Sequence, residues 1–174
     1  MAGSLAGATL GGALAFAWVP AMSTLFEPSV AGVQAFDIES RRHVMTAVAY
    51  AQNPPVGGNH YPIWQNCGFY DTPVANERAV HSLEHGAVWI TYRADLPRDQ
   101  VQALRTLART MTYILVSPYP GLAAPVVASA WGRQARLASA DDPALEEFVR
   151  VYRLGRQAPE RGAECTKGLG TPLR

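Results

Sequence analysis

Charged side chains are absent from the first 26 residues of the chain, and the first charged residue is Glu27. Residues 2–22 consist almost entirely of small and apolar side chains, and a helix needs about 20 such residues to cross a bilayer. We therefore predict a hydrophobic membrane anchor or signal segment over residues 1–22, followed by a linker over residues 23–40.

This N-terminal segment also lacks the positively charged n-region of a signal peptide. It shows no cleavage site followed by an abrupt change to polar residues. Two interpretations stay open: translation begins upstream of Met1, or the segment is a soluble helix of small residues. We favour an uncleaved anchor, which predicts a single-pass protein of the cell membrane with its domain on the extracytoplasmic side. A cleaved segment would make the same domain a secreted protein.

Cysteine is scarce, with only Cys67 and Cys165 at a separation of 98 positions. That spacing excludes a C-x-x-C redox or zinc motif. Outside the cytoplasm a distant pair of this kind predicts one structural disulfide, which would hold the C-terminal tail to the domain. Two alternatives stay open: a pair of unconnected thiols, or a thiol–imidazole pair of Cys67 with His60, which a disulfide would rule out.

The chain has no excess of positive charge, with 15 Lys+Arg against 14 Asp+Glu. Binding to a nucleic-acid backbone needs a basic face, so nucleic acid is not a predicted partner. The sequence indicates one partner, the membrane, through the N-terminal segment. The sequence does not identify a protein partner. Hydrophobic residues make up 48% of the 174 residues, which is enough for one domain with a buried core. We place this globular domain at residues 41–165 and a tail at residues 166–174.

Hydrophobic periodicity and capping residues predict a series of short elements. They are a strand over 43–50, a helix from Asn76 as N-cap to about His85, a strand over 87–92, a helix over 96–110, a strand over 113–116, a strand from 126 to 131 that continues towards 137, and a helix after Asp142. This order predicts an α+β fold, a single-domain sandwich with helices packed on one face of a small, mainly antiparallel sheet.

All four histidines of the chain lie between His43 and His85. Imidazole is a common ligand for zinc and copper. His81 and His85 are four residues apart, which on a helix places both rings on one face. His60 follows a loop with paired prolines and glycines and is the predicted third ligand.

Carboxylates near these histidines extend the predicted site. Glu84 either completes the ligation or lies just behind the ligands, Glu77 is a second candidate for that role, and His43 is a reserve ligand. The predicted cofactor is one copper or zinc ion. In the alternative interpretation the histidines are structural: His85 complements the dipole at the C-terminal end of the helix, and His81 is a hydrogen-bonded core side chain.

Residues 81–85 also match H-x-x-E-H, the inverted zincin motif in which a glutamate activates zinc-bound water. That site needs a helix that continues past the second histidine and an acidic ligand further along the chain. Gly86 and the β-branched residues after it end the helix instead. Ser82 lies between the histidines, but no G-x-S-x-G motif surrounds it.

Several segments together resemble one known family, called domain of unknown function 3105. They are NPPVGGNH at 53–60, VHSLEHGAV at 80–88, SPYP at 117–120, ASAWG at 128–132 and residues 158–165, with Trp64, Cys67, Tyr70 and Tyr92 between them. The resemblance implies a bacterial protein with a short N-terminal membrane segment and an outward-facing domain. It implies no activity.

Three functions follow from these patterns. The first is an extracytoplasmic, membrane-anchored domain that binds copper or zinc through its histidines. Binding or transfer of an ion is favoured over catalysis, because no general acid–base pair is evident beside them. The second is a non-catalytic interaction domain of the cell envelope with structural histidines. The third is a zinc-dependent hydrolase that uses the H-x-x-E-H motif.

Overall fold

The computed structural model describes Gly3 and residues 30–173. The predicted anchor over residues 1–22 and the first part of the linker therefore lie outside the described residues, Gly3 excepted. Among the described residues, no helix has the length and hydrophobicity that a membrane crossing requires. The elements are β1 (Gln34–Ala35), β2 (Gly68–Phe69), α1 (Asn76–Glu84), β3 (Val88–Tyr92), α2 (Arg98–Thr110), β4 (Ile114–Pro118), β5 (Val126–Ala130), β6 (Arg133–Leu137) and α3 (Pro143–Tyr152).

The six strands found within residues 30–173 form one sheet in the order β1-β6-β5-β3-β4-β2. Three of the five pairings are antiparallel, and the pairings of β4 with β3 and with β2 are parallel. The predicted α+β fold with a mainly antiparallel sheet is confirmed. The strand predicted from 126 towards 137 is in fact two, β5 and β6, which form a hairpin around Trp131 and Gly132.

The helices cover both faces of this sheet. Val88 and Ile90 of β3 face the larger core, which α2 and α3 close with Leu104 and Phe148. Trp89 points to the opposite face because side chains alternate along a strand. There it packs in a second cluster with helix α1. The prediction that the helices share one face is therefore wrong for α1.

Local signals predicted the N-terminal end of α3 well. Asp142 is the N-cap, its side chain accepts a hydrogen bond from the Ala144 amide at 3.0 Å, and Pro143 begins the helix. Helix α1 differs from its prediction, since Ala75 is the N-cap and Asn76 is already helical. No side chain in the described part of the chain caps that end of the helix.

Residues 43–50 were predicted as a strand, and the structure shows an irregular segment with a single β-bridge between His43 and His60. The alternating pattern fails here because the segment has no neighbouring strand among the described residues and most of its own residues are exposed. The Val48 amide donates instead to the Glu77 carboxylate at 3.0 Å.

The predicted disulfide joins Cys67 to Cys165, with their Cα atoms 5.4 Å apart. This separation is normal for a disulfide. The Cys67 amide also donates to the Cys165 carbonyl at 2.7 Å. Beyond the bridge the tail stays on the domain, because Asn66 donates to the Leu169 carbonyl at 2.8 Å and Leu173 donates to the Phe69 carbonyl at 2.8 Å.

Candidate metal site

Helix α1 carries two candidate ligands, His81 and Glu84, into the domain. Both are almost fully buried, at 3% and 1% exposure. The helix stops at once after them because Gly86 has a φ of 101°, a conformation that favours glycine. The Glu84 carbonyl at the helix end accepts a hydrogen bond from the Glu160 amide at 3.0 Å. The C-terminal segment thus closes the end of α1 beside the candidate site.

His60 is positioned by a loop that is fixed to the β5–β6 hairpin. The Gly132 amide donates to the Val56 carbonyl at 2.7 Å, and Gln134 Nε2 donates to the Pro54 carbonyl at 2.9 Å. These bonds hold the proline and glycine loop against the β5–β6 hairpin. His60 itself is completely buried.

Backbone pairing brings His43 to the same place. The His60 amide donates to the Arg42 carbonyl at 3.1 Å, and the Val44 amide donates to the His60 carbonyl at 2.8 Å. The two imidazoles consequently lie edge to face, with ring centroids 5.0 Å apart. The His43 ring also stacks on His81 at 4.9 Å.

Four side chains thus converge: His43, His60, His81 and Glu84. Each offers one ligand atom, and these atoms all lie within 4.8 Å of one another. Tetrahedral zinc with bonds of 2.0–2.2 Å needs ligand atoms about 3.3–3.6 Å apart, so small side-chain rotations would close the group on an ion. The donors are three imidazoles and one carboxylate, a set that suits zinc and copper.

The hydrogen bonds of the buried histidines determine which ring nitrogen is free. His60 Nδ1 lies 2.8 Å from the Gly58 carbonyl, and His81 Nδ1 lies 2.6 Å from the Tyr61 carbonyl. A carbonyl only accepts, so each Nδ1 carries the proton and each Nε2 has a free lone pair when the ring is neutral. A backbone carbonyl on the far nitrogen is the usual support of a metal-binding histidine.

His60 Nε2 faces the Glu84 carboxylate in a way that calls for a cation. The nitrogen lies 3.0 Å from Glu84 Oε2, yet it is buried and has no hydrogen-bond partner among the described residues. With His60 protonated the two groups form an ion pair at this distance, although the atoms lack hydrogen-bond geometry. A neutral His60 would direct its lone pair at a carboxylate oxygen, which is unfavourable. A metal ion between the two atoms would satisfy both.

Glu84 is held in its ionised form. Arg41 Nη1 lies 3.1 Å from Glu84 Oε1, so the two carboxylate oxygens point to different partners. Burial raises the pKa of Glu84, but a positive charge on His60 and the Arg41 guanidinium both lower it, and the net pKa lies below its usual value. The carboxylate is thus available as a ligand at neutral pH.

His81 is held in its neutral form. The pKa of His81 is lowered to about 4, chiefly by burial and to a lesser degree by the neighbouring histidines, whereas the hydrogen bond to Tyr61 acts in the opposite direction. A metal ligand must be deprotonated at Nε2, and the neutral ring satisfies this at neutral pH.

His85, predicted as a ligand together with His81, lies outside the group of four. Its ring is close to His81, with centroids 4.5 Å apart. However, its Nδ1 lies 2.6 Å from the Glu164 carbonyl, and its Nε2 is 3.9 Å from Glu160 Oε2. His85 is the C-cap residue of α1, and it turns towards the C-terminal segment instead of the loop that carries His60.

Two other residues considered from the sequence have local structural contacts. Glu77 accepts a hydrogen bond from the Val48 amide and is not among the four converging groups. Ser82 is fully buried, and its hydroxyl donates to the Gln65 carbonyl at 2.7 Å. Sequence analysis did not identify Arg41, because its pairing with Glu84 spans 43 residues and has no local pattern.

These features define a single-domain α+β protein with a buried histidine–carboxylate cluster. Residues 43–167 match the family described as "Protein of unknown function (DUF3105)", and the chain belongs to this family. The predicted family is therefore confirmed. The match includes all four converging side chains, with His43 as its first residue. No curated protein and no solved structure matches the chain.

Proposed function

We propose that this protein binds one Zn²⁺ or Cu²⁺ ion through His43, His60, His81 and Glu84. The observation that carries this proposal is the convergence of these four side chains, whose ligand atoms all lie within 4.8 Å of one another. Within this group His60 Nε2 lies 3.0 Å from Glu84 Oε2. Two buried groups that would repel each other as a neutral imidazole and a carboxylate lie side by side. A divalent ion would turn this contact into two ligand bonds.

The donor set supports zinc and copper over harder ions. Magnesium and calcium prefer shells made of oxygen atoms, whereas three imidazoles with one carboxylate suit zinc and divalent copper. Copper binds such sites more tightly than zinc, so the ion bound in the cell also depends on supply.

The domain is further proposed to act outside the cytoplasm, attached to the cell membrane by the uncharged segment over residues 2–22. The support is the length of that segment and the Cys67–Cys165 disulfide, which is typical of proteins in oxidising compartments. A reporter fused after Arg174 should be active on the extracytoplasmic side. Activity confined to the cytoplasm would contradict this part of the proposal.

Metal binding is tested by loading purified protein with Zn²⁺ or Cu²⁺, removing excess ion, and measuring metal content and affinity. Wild type should retain one ion per chain. His81→Gln should lose binding, because it removes a free Nε2 from the group. His85→Gln is the matched control, one helical turn away and equally buried at 3% exposure, and it should retain the ion.

The outcomes separate the competing functions. If wild type retains no ion, the histidines are structural and an envelope interaction domain becomes the better account. If His85→Gln loses the ion as His81→Gln does, the ion is bound by the His81–His85 pair of the H-x-x-E-H motif. The proposed ligand set is then wrong. A hydrolase is not proposed, since His85 faces Glu164 and Glu160.

A further inference from the structure

The four converging side chains differ sharply in their access to solvent. His60, His81 and Glu84 are 0%, 3% and 1% exposed. His43 is exposed, and it lies in an irregular segment instead of a helix or strand. One ligand of the proposed site is thus at the surface, and the other three lie behind it.

The buried and exposed ligands also differ in how they are held. His60 and His81 each have Nδ1 hydrogen-bonded to a backbone carbonyl, and Glu84 contacts Arg41. Within residues 30–173, the His43 ring has aromatic contacts with His60 and His81 but no hydrogen bond. Its side chain can therefore rotate away without breaking a hydrogen bond, whereas release of His60 or His81 leaves a buried nitrogen without a partner.

Building on the proposed function, we infer that His43 is the exchange ligand: the ion enters and leaves at His43 by direct replacement of this imidazole. The incoming group is a donor atom of another molecule, such as an imidazole, thioether or thiolate of an acceptor. Its bond to the ion forms as the His43 bond breaks, and no electron is transferred. The three buried ligands hold the ion until the acceptor is bound.

This inference makes the ion cargo that passes between molecules. A structural zinc site has four buried ligands, and its ion leaves only when the protein opens. A site with one exposed, weakly held ligand instead lets a second molecule reach the ion in the folded state. The two mechanisms predict different kinetics for the same equilibrium affinity.

The test measures transfer of Zn²⁺ from loaded protein to the chelator 4-(2-pyridylazo)resorcinol by stopped-flow absorbance. Direct replacement predicts an observed rate constant that rises linearly with chelator concentration over a tenfold range. A rate constant independent of chelator concentration would mean that the ion dissociates or the protein opens first, and would overturn the inference. Absence of bound zinc at the start would contradict the proposed function instead.

Variants assign the exchange to His43. His43→Ala should still bind zinc, with a Kd raised about 10- to 100-fold, and at equal chelator concentration it should transfer the ion faster by a similar factor. Met45→Ala is the matched control, because Met45 is 81% exposed and lies two residues away. It should leave both quantities unchanged. Transfer from His43→Ala at the wild-type rate would overturn the assignment to His43.

Discussion

At the scale of single residues, the candidate site depends on side chains kept in the protonation states that a metal ligand needs. His81 is neutral because it is buried, and Glu84 is ionised with the Arg41 guanidinium beside it. The sequence indicated His60, His81 and Glu84 through histidine clustering and helical spacing. It did not indicate the exposed His43 as a main ligand, because the His43–His60 bridge is a contact between two irregular segments.

The low pKa of His81 predicts a pH-dependent stability of the metal-free protein. Its folded value of about 4 lies below the ordinary 6.5, so the unfolded chain binds this proton first. The free energy of unfolding should therefore fall as pH decreases from about 6.5 to 4, by up to about 3 kcal/mol from this group. Urea denaturation in EDTA at pH 7, 5.5 and 4 measures the decrease. His81→Gln cannot titrate and should show a smaller decrease, whereas an equal decrease in both proteins would refute this assignment.

Replacing Glu84 by glutamine separates metal binding from folding. In Glu84→Gln the side-chain amide can donate to His60 Nε2, so the metal-free variant should lose no more than about 1 kcal/mol of stability. The loss of a charged ligand should raise the Kd for Zn²⁺ at least about tenfold. Calorimetric titration and thermal unfolding in EDTA measure the two effects. A large drop in stability with unchanged affinity would make Glu84 a structural residue.

At the scale of elements, the site depends on where α1 ends. The sequence predicted this end correctly, because Gly86 follows the last turn and a β-branched run begins directly after it. It missed the irregular character of residues 43–50, because alternation alone does not reveal whether a partner strand exists. It also did not predict that α1 crosses the face opposite α2 and α3, since side-chain periodicity does not say which face of a sheet a helix covers.

Gly86→Ala should destabilise the protein more than the same change at Gly121. Both glycines have positive φ, which costs alanine about 1 kcal/mol. A Cβ at Gly86 would also lie 3.3 Å from the Leu154 Cα, whereas a Cβ at Gly121 would meet no atom of the described residues within 4 Å. We expect a loss of about 2–4 kcal/mol at Gly86 and about 1 kcal/mol at Gly121, measured by urea denaturation. Equal losses at both sites would show that the contact with Leu154 is easily relieved.

At the scale of the whole molecule, the C-terminal segment connects the disulfide to the candidate site. The Glu160 amide donates to the Glu84 carbonyl at the end of α1, and the Gly162 amide donates to the carbonyl of the C-cap residue His85. The Glu164 carbonyl accepts from the His85 ring. The Cys67–Cys165 bridge holds this segment in place across 98 residues. The sequence predicted the bridge from the scarcity of cysteine, but it gave no sign that the residues before Cys165 cover the end of the helix that carries the ligands.

Removal of the disulfide should weaken both the fold and the site. The Cys67→Ser, Cys165→Ser double variant should lose up to about 4–5 kcal/mol of unfolding free energy, because the bridge restricts a long loop in the unfolded chain. The C-terminal segment should also loosen, so that zinc affinity falls. Urea denaturation measures the change in stability, and calorimetric titration measures the change in zinc affinity. Wild-type protein with its disulfide reduced should show the same two losses relative to oxidised wild type. Unchanged stability would mean that backbone contacts alone hold the tail.

The most direct measurement of the central claim is an anomalous difference map from crystals of the protein loaded with Zn²⁺. The account predicts one peak bounded by His43, His60, His81 and Glu84, with ligand atoms about 2.0–2.2 Å from the ion and with Nε2 of His60 and His81 facing it. A peak between His85 and Glu160, or no peak at any histidine in protein that carries one zinc per chain, would contradict it.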